Sequence, residues 1–284
     1  MNSAEQTLAQ LGRLQQQGAL PRSQCGAGFL RAVEPLLASG VISEERAGAG
    51  RCIVVRDTAA LGEFVRHHFP GDPVPSDSIS RAVGVARFRD SKAYASDTPW
   101  VVSVRAWDES ALRKDGRSLC AAAATAAHGV FSFVLQPDSK FTLHGPCALV
   151  ENPAVFHHFE RLGLNIGLAM LGQGRIPGRA LDWLAAMQGG DYSLLHLPDY
   201  DPVGLSEFER LHGRLGGRAQ LHLPSDLEKR FQRHANRKLL ERPNSRSLML
   251  KLRQSPLPDV RRVIALMDLH NAGLEQESLL IGAY

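Results

Sequence analysis

The sequence has few features of a disulfide framework, a zinc site or a membrane protein. Its four cysteines are scattered and form no CxxC pair, so we expect four ordinary thiols. No apolar run approaches the roughly 18 residues that a membrane-spanning helix needs. The first residues are polar and lack the apolar core of a secretory signal. These absences predict a cytoplasmic protein that has no membrane partner.

Aromatic residues are scarce, and the histidines form no metal-binding motif. Phe, Trp and Tyr make up 6% of the chain, too few to suggest an aromatic platform for RNA bases. The pairs His67-His68 and His157-His158 lack HExxH spacing, and we interpret them as structural or surface residues. An enzyme that acts on RNA is therefore the least favoured interpretation.

Positive charge is concentrated in one part of the chain, although the net charge is only +4. Residues 210–262 contain fourteen lysines and arginines but only four acidic residues. Such a basic segment is typical of a surface that binds a polyanion such as nucleic acid. The alternative is a solvated helix face whose counter-charges come from elsewhere in the fold.

A segment rich in Pro, Asp and Ser, residues 70–78, predicts a linker. We therefore predict three parts of the chain. These are an N-terminal module over residues 1–70, a linker and connecting region over residues 71–140, and a larger domain over residues 141–284.

The N-terminal module has the pattern of a winged helix. Helices are expected over residues 4–17 and 29–37. Two short apolar runs then flank the polar tip SEERAGAG, which predicts a β-hairpin, and a further helix is expected over residues 58–67. Helices followed by a hairpin wing are typical of winged-helix modules, of which many bind DNA and many make only protein contacts.

The larger domain alternates between strand and helix patterns. Short apolar runs at residues 147–150, 164–171, 192–197 and 219–223 are separated by segments with helical periodicity. This alternation predicts an α/β fold with a mainly parallel, Rossmann-like sheet, helices on both faces and right-handed crossovers.

Acidic residues follow two of these predicted strands. Glu151 comes directly after the run 147–150, and Asp199 and Asp201 come just after the run 192–197. Functional groups gather beyond the C-terminal ends of parallel strands, and alternate residues of an extended segment point to the same side. Oxygen ligands of this kind favour Mg²⁺ or Mn²⁺ over zinc. We predict that Glu151, Asp199 and Asp201 are both the metal ligands and the catalytic acidic cluster.

Helix capping is the alternative explanation for part of this pattern. Asp201-Pro202 is a favourable helix start, with Asp as the N-cap and Pro at the first helical position. Asn152 is placed to cap the helix after Glu151 in the same way. Capping does not explain Asp199, or why acids recur at equivalent strand ends, so a metal site is favoured.

At these residues the chain resembles the Toprim domain, which carries a Glu after its first core strand and a DxD motif after a later one. Here these are Glu151 and Asp199-Tyr200-Asp201. The phrase PDYDPVGL at residues 198–205 resembles the DxDPxG stretch of the topoisomerase VI A subunit. It also resembles the DxDxxG stretch of JetD, or MksG, the nuclease subunit of Wadjet plasmid-defence systems. The resemblance covers about residues 80–284 and implies a Toprim fold with metal-dependent DNA cleavage.

Two weaker features favour the JetD family. Arg89-Asp90-Ser91-Lys92 resembles a Ser-Lys phrase of that family, and Leu274-Glu275-Gln276-Glu277 resembles its C-terminal LEQE ending. The resemblance implies a homodimer with one active site for each strand of double-stranded DNA. It also implies SMC or condensin-like partner subunits that handle the DNA.

The missing N-terminal tyrosine bears on the expected chemistry. Topoisomerase VI-type enzymes cut through a tyrosine of their winged-helix domain, and residues 1–78 contain no tyrosine. The resemblance therefore implies hydrolysis of plasmid DNA by metal-activated water. The alternatives are a catalytically silent DNA-binding or scaffold subunit, and a DNA-cleavage protein of the topoisomerase VI A type.

Accessory residues are assigned from their charge and position. Lys92, together with Lys229 or Arg230, is expected at the scissile phosphate, and Glu275 or Glu277 at a second metal position. The basic segment is expected to contact the DNA backbone largely without sequence preference. Its candidate contacts are Lys229, Arg230, Arg233, Arg237 and Lys238. Surface salt bridges are the alternative for all of these accessory residues.

Overall fold

The computed structural model of the chain describes residues 3–48, 50–69, 80–88, 100–136, 138–187 and 191–282. The chain divides into two units, Met1–Thr98 and Pro99–Tyr284, and each contains its own buried apolar cluster. Within the described residues, no helix is long and apolar enough to cross a membrane.

The described part of the first unit consists of helices and a three-stranded antiparallel sheet. In chain order its elements are α1 (Ser3–Gln17), β1 (Ala19–Pro21), α2 (Ala27–Ala32), α3 (Glu34–Ala38), β2 (Ile42–Ala47), β3 (Gly50–Val55), α4 (Thr58–His68) and α5 (Ser80–Phe88). The strands lie in the order β1-β3-β2. Leu11, Leu14, Phe29 and Ile53 are fully buried or nearly so in its core.

The predicted hairpin is confirmed, with longer strands than the sequence indicated. β2 and β3 pair from Ile42 opposite Val55 to Ala47 opposite Gly50, so most of the predicted tip lies within the strands. The second predicted helix is divided into α2 and α3. Pro35 lies in the first turn of α3, where proline can begin a helix but cannot continue one.

The second unit combines a large sheet, a small sheet and helices. In chain order its elements are β4 (Trp100–Ala106), β5 (Leu112–Lys114), β6 (Arg117–Ser118), α6 (Ala121–His128), β7 (Phe131–Leu135), β8 (Phe141–Leu143), β9 (Gly145–Val150), α7 (Pro153–His157), β10 (Leu168–Leu171), α8 (Gly178–Ala186), β11 (Tyr192–Leu197), α9 (Pro202–Leu215), β12 (Ala219–Leu221), α10 (Leu227–His234), α11 (Ser245–Leu252) and α12 (Pro258–His270).

The large sheet has six strands in the order β12-β11-β9-β10-β4-β7. Neighbouring strands from β12 to β10 are parallel, whereas β4 pairs antiparallel with both β10 and β7. The predicted α/β class and mainly parallel sheet are therefore confirmed.

The prediction that residues 71–140 form a connecting region is wrong for the second half of this range. β4 and β7 complete the large sheet, and the second unit begins at Pro99. The pairing of β4 with β10 joins residues more than 60 positions apart, and such a pairing leaves no local pattern in the sequence. Residues 70–79, which include the predicted linker, lie outside the described part of the chain.

The centre of the large sheet brings two strand ends together. All four residues of the run Cys147–Val150 in β9 are buried, as expected for a parallel strand covered on both faces. Val150 at the end of β9 pairs with Leu197 at the end of β11. The residues that follow these two strands therefore begin side by side at the same edge of the sheet.

Candidate metal centre

Glu151 and Asp199 are in contact at this edge of the sheet. The backbone N–H of Glu151 donates to the carbonyl oxygen of Leu197 at 3.1 Å, which continues the pairing of β9 and β11 by one residue. The backbone N–H of Asp199 donates to Oε2 of Glu151 at 3.3 Å. The two predicted ligands are therefore brought together by the register of adjacent parallel strands.

Gln276 holds Asp199 from the C-terminal segment. Its backbone N–H donates to Oδ1 of Asp199 at 2.9 Å, and its side-chain Nε2 donates to the carbonyl oxygen of Leu197. Its Oε1 accepts from the backbone N–H of Asn152 at 2.7 Å. Because Gln276 is completely buried, these bonds tie the LEQE segment to the ends of both β9 and β11.

Asp201 is buried, and both of its carboxylate oxygens have partners. As the N-cap of α9, it accepts at Oδ1 from the backbone N–H of Gly204 at 2.8 Å. Its Oδ2 accepts from Nη1 of Arg242 at 2.8 Å. The capping role that the sequence offered as an alternative for Asp201 is therefore present in the structure, together with an ion pair.

Gly204 allows α9 to begin next to Asp199. A Cβ atom at this position would lie 2.2 Å from the carbonyl oxygen of Asp199 and 2.9 Å from Cβ of Pro198. No side chain fits at the former distance, so the glycine of the DYDPVG phrase is required by close packing. This packing fixes the first turn of α9 against the segment that carries both aspartates.

Tyr200 lies between the two aspartates and anchors their segment. Its side chain is completely buried, and its hydroxyl donates to the carbonyl oxygen of His222 at 3.0 Å. Its backbone pairs with Leu274 through bonds of 2.9 and 3.0 Å. The segment that carries the aspartates is therefore attached both to the loop after β12 and to the C-terminal segment.

The carboxyl groups at this edge are electrostatically unfavourable without a cation. Burial, and secondarily the charge of Asp199, raises the pKa of Glu151 to about 7. Burial also raises the pKa of Asp199 to about 6, against the opposing effect of the Gln276 hydrogen bond. The pKa of Asp201 is raised by burial too, while its bond from Gly204 and its ion pair with Arg242 oppose the rise. A divalent cation would remove this cost.

The two acids of the LEQE segment are placed differently. Glu277 is exposed and accepts from Nδ2 of Asn152 at 2.6 Å, and its charge contributes to the raised pKa of Asp199. Glu275 is also exposed, but it accepts from Nδ2 of Asn236 at 3.1 Å. Of the two, only Glu277 acts electrostatically on the Glu151–Asp199 pair.

The donor set fits a hard divalent cation, although it is not assembled as a complete ligand sphere. The described residues contain no group of three or more His, Cys, Asp or Glu side chains that is positioned to hold a metal ion. The carboxylate of Glu151 contacts the backbone of Asp199, whereas Oδ2 of Asp201 is engaged by Arg242. For Asp201 to join a metal ion, this oxygen must exchange the guanidinium for the cation.

Glu151 also faces an open cleft of about 440 Å³. The other walls are the first turns of α9 and α11, the residues just before α11, and the Gly174-Arg175 segment. Ser206, Asn244 and Ser247 supply polar groups to these walls. A solvent-borne ion or a phosphate group can therefore reach Glu151 without any rearrangement of the core.

The predicted DNA contacts divide into exposed and buried residues. Lys229, Arg233, Arg237 and Lys238 are exposed. The prediction for Arg230 is wrong, both as a DNA contact and as a phosphate ligand, because its side chain is only 6% exposed. Its guanidinium binds Asp226 at 2.7 Å and the carbonyl oxygens of Ser278 and Ile281. Lys92 lies outside the described residues.

Much of the basic segment is neutralised by ion pairs within the second unit. Residues 210–262 are all described by the structure, and at least eight of their fourteen lysines and arginines form ion pairs. Arg253, for example, binds Asp268 with bonds of 3.0 and 2.6 Å. Five of these eight partners lie 15 or more positions away in sequence, so the alternative of counter-charges supplied by the fold holds for part of the segment.

Sequence analysis missed Gln276 and Arg242. Gln276 lies within the LEQE phrase. The sequence predicts its acidic neighbours as metal ligands instead, because carboxylates are the usual ligands. Arg242 was one of fourteen basic residues in its segment, and no local pattern distinguished it from the others.

A comparison with models of known protein families finds none that matches the chain, and a search of curated proteins finds no significant sequence similarity.

Proposed function

We propose that the second unit is a metal-dependent phosphodiesterase that hydrolyses double-stranded DNA. The observation that carries this proposal is the Glu151–Asp199 pair, which lies half-buried at the adjoining C-terminal ends of β9 and β11. Burial raises the pKa of both carboxyl groups, and neighbouring carboxylates add to the rise. Paired acids at this position in a parallel sheet have the chemistry of a magnesium or manganese site.

Glu151, Asp199 and Asp201 would hold the ion, which when bound supplies Lewis-acid stabilisation of a phosphate and a water of lowered pKa. The chain contributes the positioning of these ligands. Gln276 orients Asp199, and Glu151 presents its carboxylate to the open cleft. The cleft that Glu151 lines is the proposed entry for a DNA phosphate.

The fold and the motifs support a Toprim assignment of the second unit. Glu151 and the DYDPVG phrase follow the strands that the resemblance to the Toprim and JetD families requires, in a mostly parallel sheet. In the first unit, helices precede an antiparallel hairpin, an arrangement consistent with the proposed winged helix. We extend the proposal to a plasmid-defence nuclease that acts as a homodimer with SMC or condensin-like subunits.

Hydrolysis is favoured over a tyrosyl intermediate by the two tyrosines that the structure describes. The hydroxyl of Tyr192 donates to the carbonyl oxygen of Leu184, and that of Tyr200 to His222. Burial raises the pKa of Tyr192 to about 12 and that of Tyr200 further still. Neither of these two hydroxyls is available as a nucleophile, and Tyr94 and Tyr284 lie outside the described residues.

The DNA surface is narrowed to the exposed part of the predicted set. It consists of Lys229, Arg233, Arg237 and Lys238. Arg253, which binds Asp268, is not part of it. Arg237 stays in the set although it pairs with Glu241, because both side chains of that pair are exposed.

A catalytically silent DNA-binding or scaffold subunit is the second candidate. The observation that favours it is the occupation of both Asp201 oxygens by Gly204 and Arg242. A silent subunit would bind DNA through the same basic surface but would not cleave it with any metal ion.

The test is nicking of supercoiled plasmid by purified protein in Mg²⁺ or Mn²⁺, compared with Asp199→Asn. The variant keeps an oxygen for the Gln276 N–H but removes the charge, so we expect nicking to fall by about 10³-fold while the fold is retained. Asp182→Asn, an exposed aspartate paired with Arg214, is the matched control and should cleave normally. Equal nicking by wild type and Asp199→Asn would reject the metal centre, and DNA binding without nicking would support the silent subunit.

A further inference from the structure

Arg242 lies at the acidic edge and is not explained by packing alone. Its Nη1 donates to Oδ2 of Asp201 at 2.8 Å, and its positive charge lowers the pKa of Glu151, Asp199 and Asp201 alike. Its side chain is nevertheless 46% exposed, while that of Asp201 is 1% exposed. The guanidinium thus contacts Asp201 directly and still faces solvent.

The net charge of the site favours a second cation. Three ionised carboxylates around one divalent ion retain one negative charge, and such a site would repel a DNA phosphate. One permanently charged guanidinium cancels this excess without a second metal ion. Arginine suits the role because its planar, weakly hydrated group binds carboxylate and phosphate oxygens with equal geometry.

Arg242 lies next in sequence to the wall of the cleft. It directly precedes Pro243 and Asn244, which line the cleft together with Glu151. The backbone N–H of Ser245 donates to the carbonyl oxygen of Arg242 at 3.1 Å, so its main chain is fixed at the start of α11 while its side chain reaches Asp201.

We infer that Arg242 is the second cation of a one-metal site. It holds Oδ2 of Asp201, and it would be free to bind the phosphate that is cleaved once a divalent ion took this oxygen. This inference rests on the proposed function, since it assigns a further catalytic residue to the same site.

Titration with Mn²⁺ in the absence of DNA tests the competition directly. Wild type should bind one Mn²⁺ per chain, and Arg242→Gln should bind it roughly tenfold more tightly because the competing cation is gone. Arg242→Lys keeps the charge, so its Mn²⁺ affinity should stay within about twofold of wild type. Arg253→Gln is the matched control: Arg253 is also 46% exposed and paired with an aspartate, and its loss should change nothing.

Cleavage at saturating Mn²⁺ tests the phosphate contact. Arg242→Gln should cleave about a hundredfold more slowly than wild type although its metal site is full. Tighter Mn²⁺ binding together with slower cleavage is not expected of a residue that only supports the fold. Thermal unfolding with and without Mn²⁺ checks that each variant is folded, and the Mn²⁺-induced rise in melting temperature should be largest for Arg242→Gln.

The outcomes separate this inference from the proposed function. If wild type binds Mn²⁺ and cleaves DNA but Arg242→Gln matches it in affinity or rate, only the inference is overturned. Two Mn²⁺ per wild-type chain would also overturn it and leave the nuclease intact. A wild type that neither binds Mn²⁺ nor cleaves DNA overturns both.

Discussion

The acidic edge of the sheet and the basic segment over residues 210–262 carry opposite charge and are built in opposite ways. Glu151 and Asp199 are far apart in sequence but contact each other in the fold, and burial raises the pKa of both. The basic residues are close in sequence, but most of those in ion pairs are neutralised by acids that the fold brings to them from distant positions. Carboxylates whose charge the fold does not fully compensate, rather than a high density of charge along the chain, therefore indicate the candidate metal centre.

The largest expected effect comes from a basic residue that is structural. Arg230→Met removes a buried guanidinium from Asp226 and from the carbonyl oxygens of Ser278 and Ile281. We expect the free energy of unfolding in urea to fall by about 3–5 kcal/mol, because a buried charge loses its partner. The neighbouring Lys229→Met, at an exposed position, should change it by less than about 0.5 kcal/mol. Similar values for the two variants would contradict the division of the segment into buried and exposed parts.

A glycine comparison tests the packing of the acidic edge. Gly204→Ala places a methyl group 2.2 Å from the carbonyl oxygen of Asp199, and we expect a loss of about 3 kcal/mol of unfolding free energy. Gly213→Ala in the same helix meets no atom within 4 Å and should stabilise the protein by about 0.5–1 kcal/mol. Denaturation that shows stabilisation by both alanines would mean that α9 does not pack closely on the aspartate segment.

The metal-free protein should also have an unusual pH dependence. Because the folded-state pKa of Glu151 is about 7 and its ordinary value 4.5, the folded protein binds more protons between these values, and stability falls as pH rises through that window. In EDTA, wild type should lose about 2 kcal/mol more than Glu151→Gln between pH 5 and pH 8. Urea unfolding at both pH values measures this difference. Equal losses of unfolding free energy in the two proteins would contradict a raised pKa of Glu151.

The smallest expected effect concerns the exposed basic surface. Lys238→Gln should lower the slope of log affinity for duplex DNA against log salt by about one, through loss of one phosphate contact. Arg253→Gln should leave the slope unchanged, since Asp268 holds this arginine. Fluorescence anisotropy over a salt series measures the slope for both variants. An equal loss of slope in the two would mean that Arg253 also contacts DNA despite its ion pair.

The fold was predictable where its signals are local. Apolar runs marked β9 and β11, and the geometry of a parallel sheet then placed Glu151 and Asp199 together. The burial of Arg230 was also visible in principle, because Leu227 and Phe231 place it within the apolar face of α10.

The rest of the site depends on contacts between distant parts of the chain. Gln276 bonds to Asp199 across 77 positions, and Arg242 to Asp201 across 41. No periodicity or spacing encodes such pairs. Which basic residue would reach the acids, and whether Glu or Gln of the LEQE segment would hold Asp199, could only be learned from the fold.

Proton release on metal binding tests the central claim most directly. Calorimetric titration of the metal-free protein with Mn²⁺ in buffers of different ionisation enthalpy counts the protons displaced. With pKa values of about 7 and 6 for Glu151 and Asp199, we expect about one proton per bound ion at pH 6.5 and nearly none at pH 8.5. Binding without proton release at pH 6.5, or no binding at either pH, would contradict a cation site at these two carboxylates.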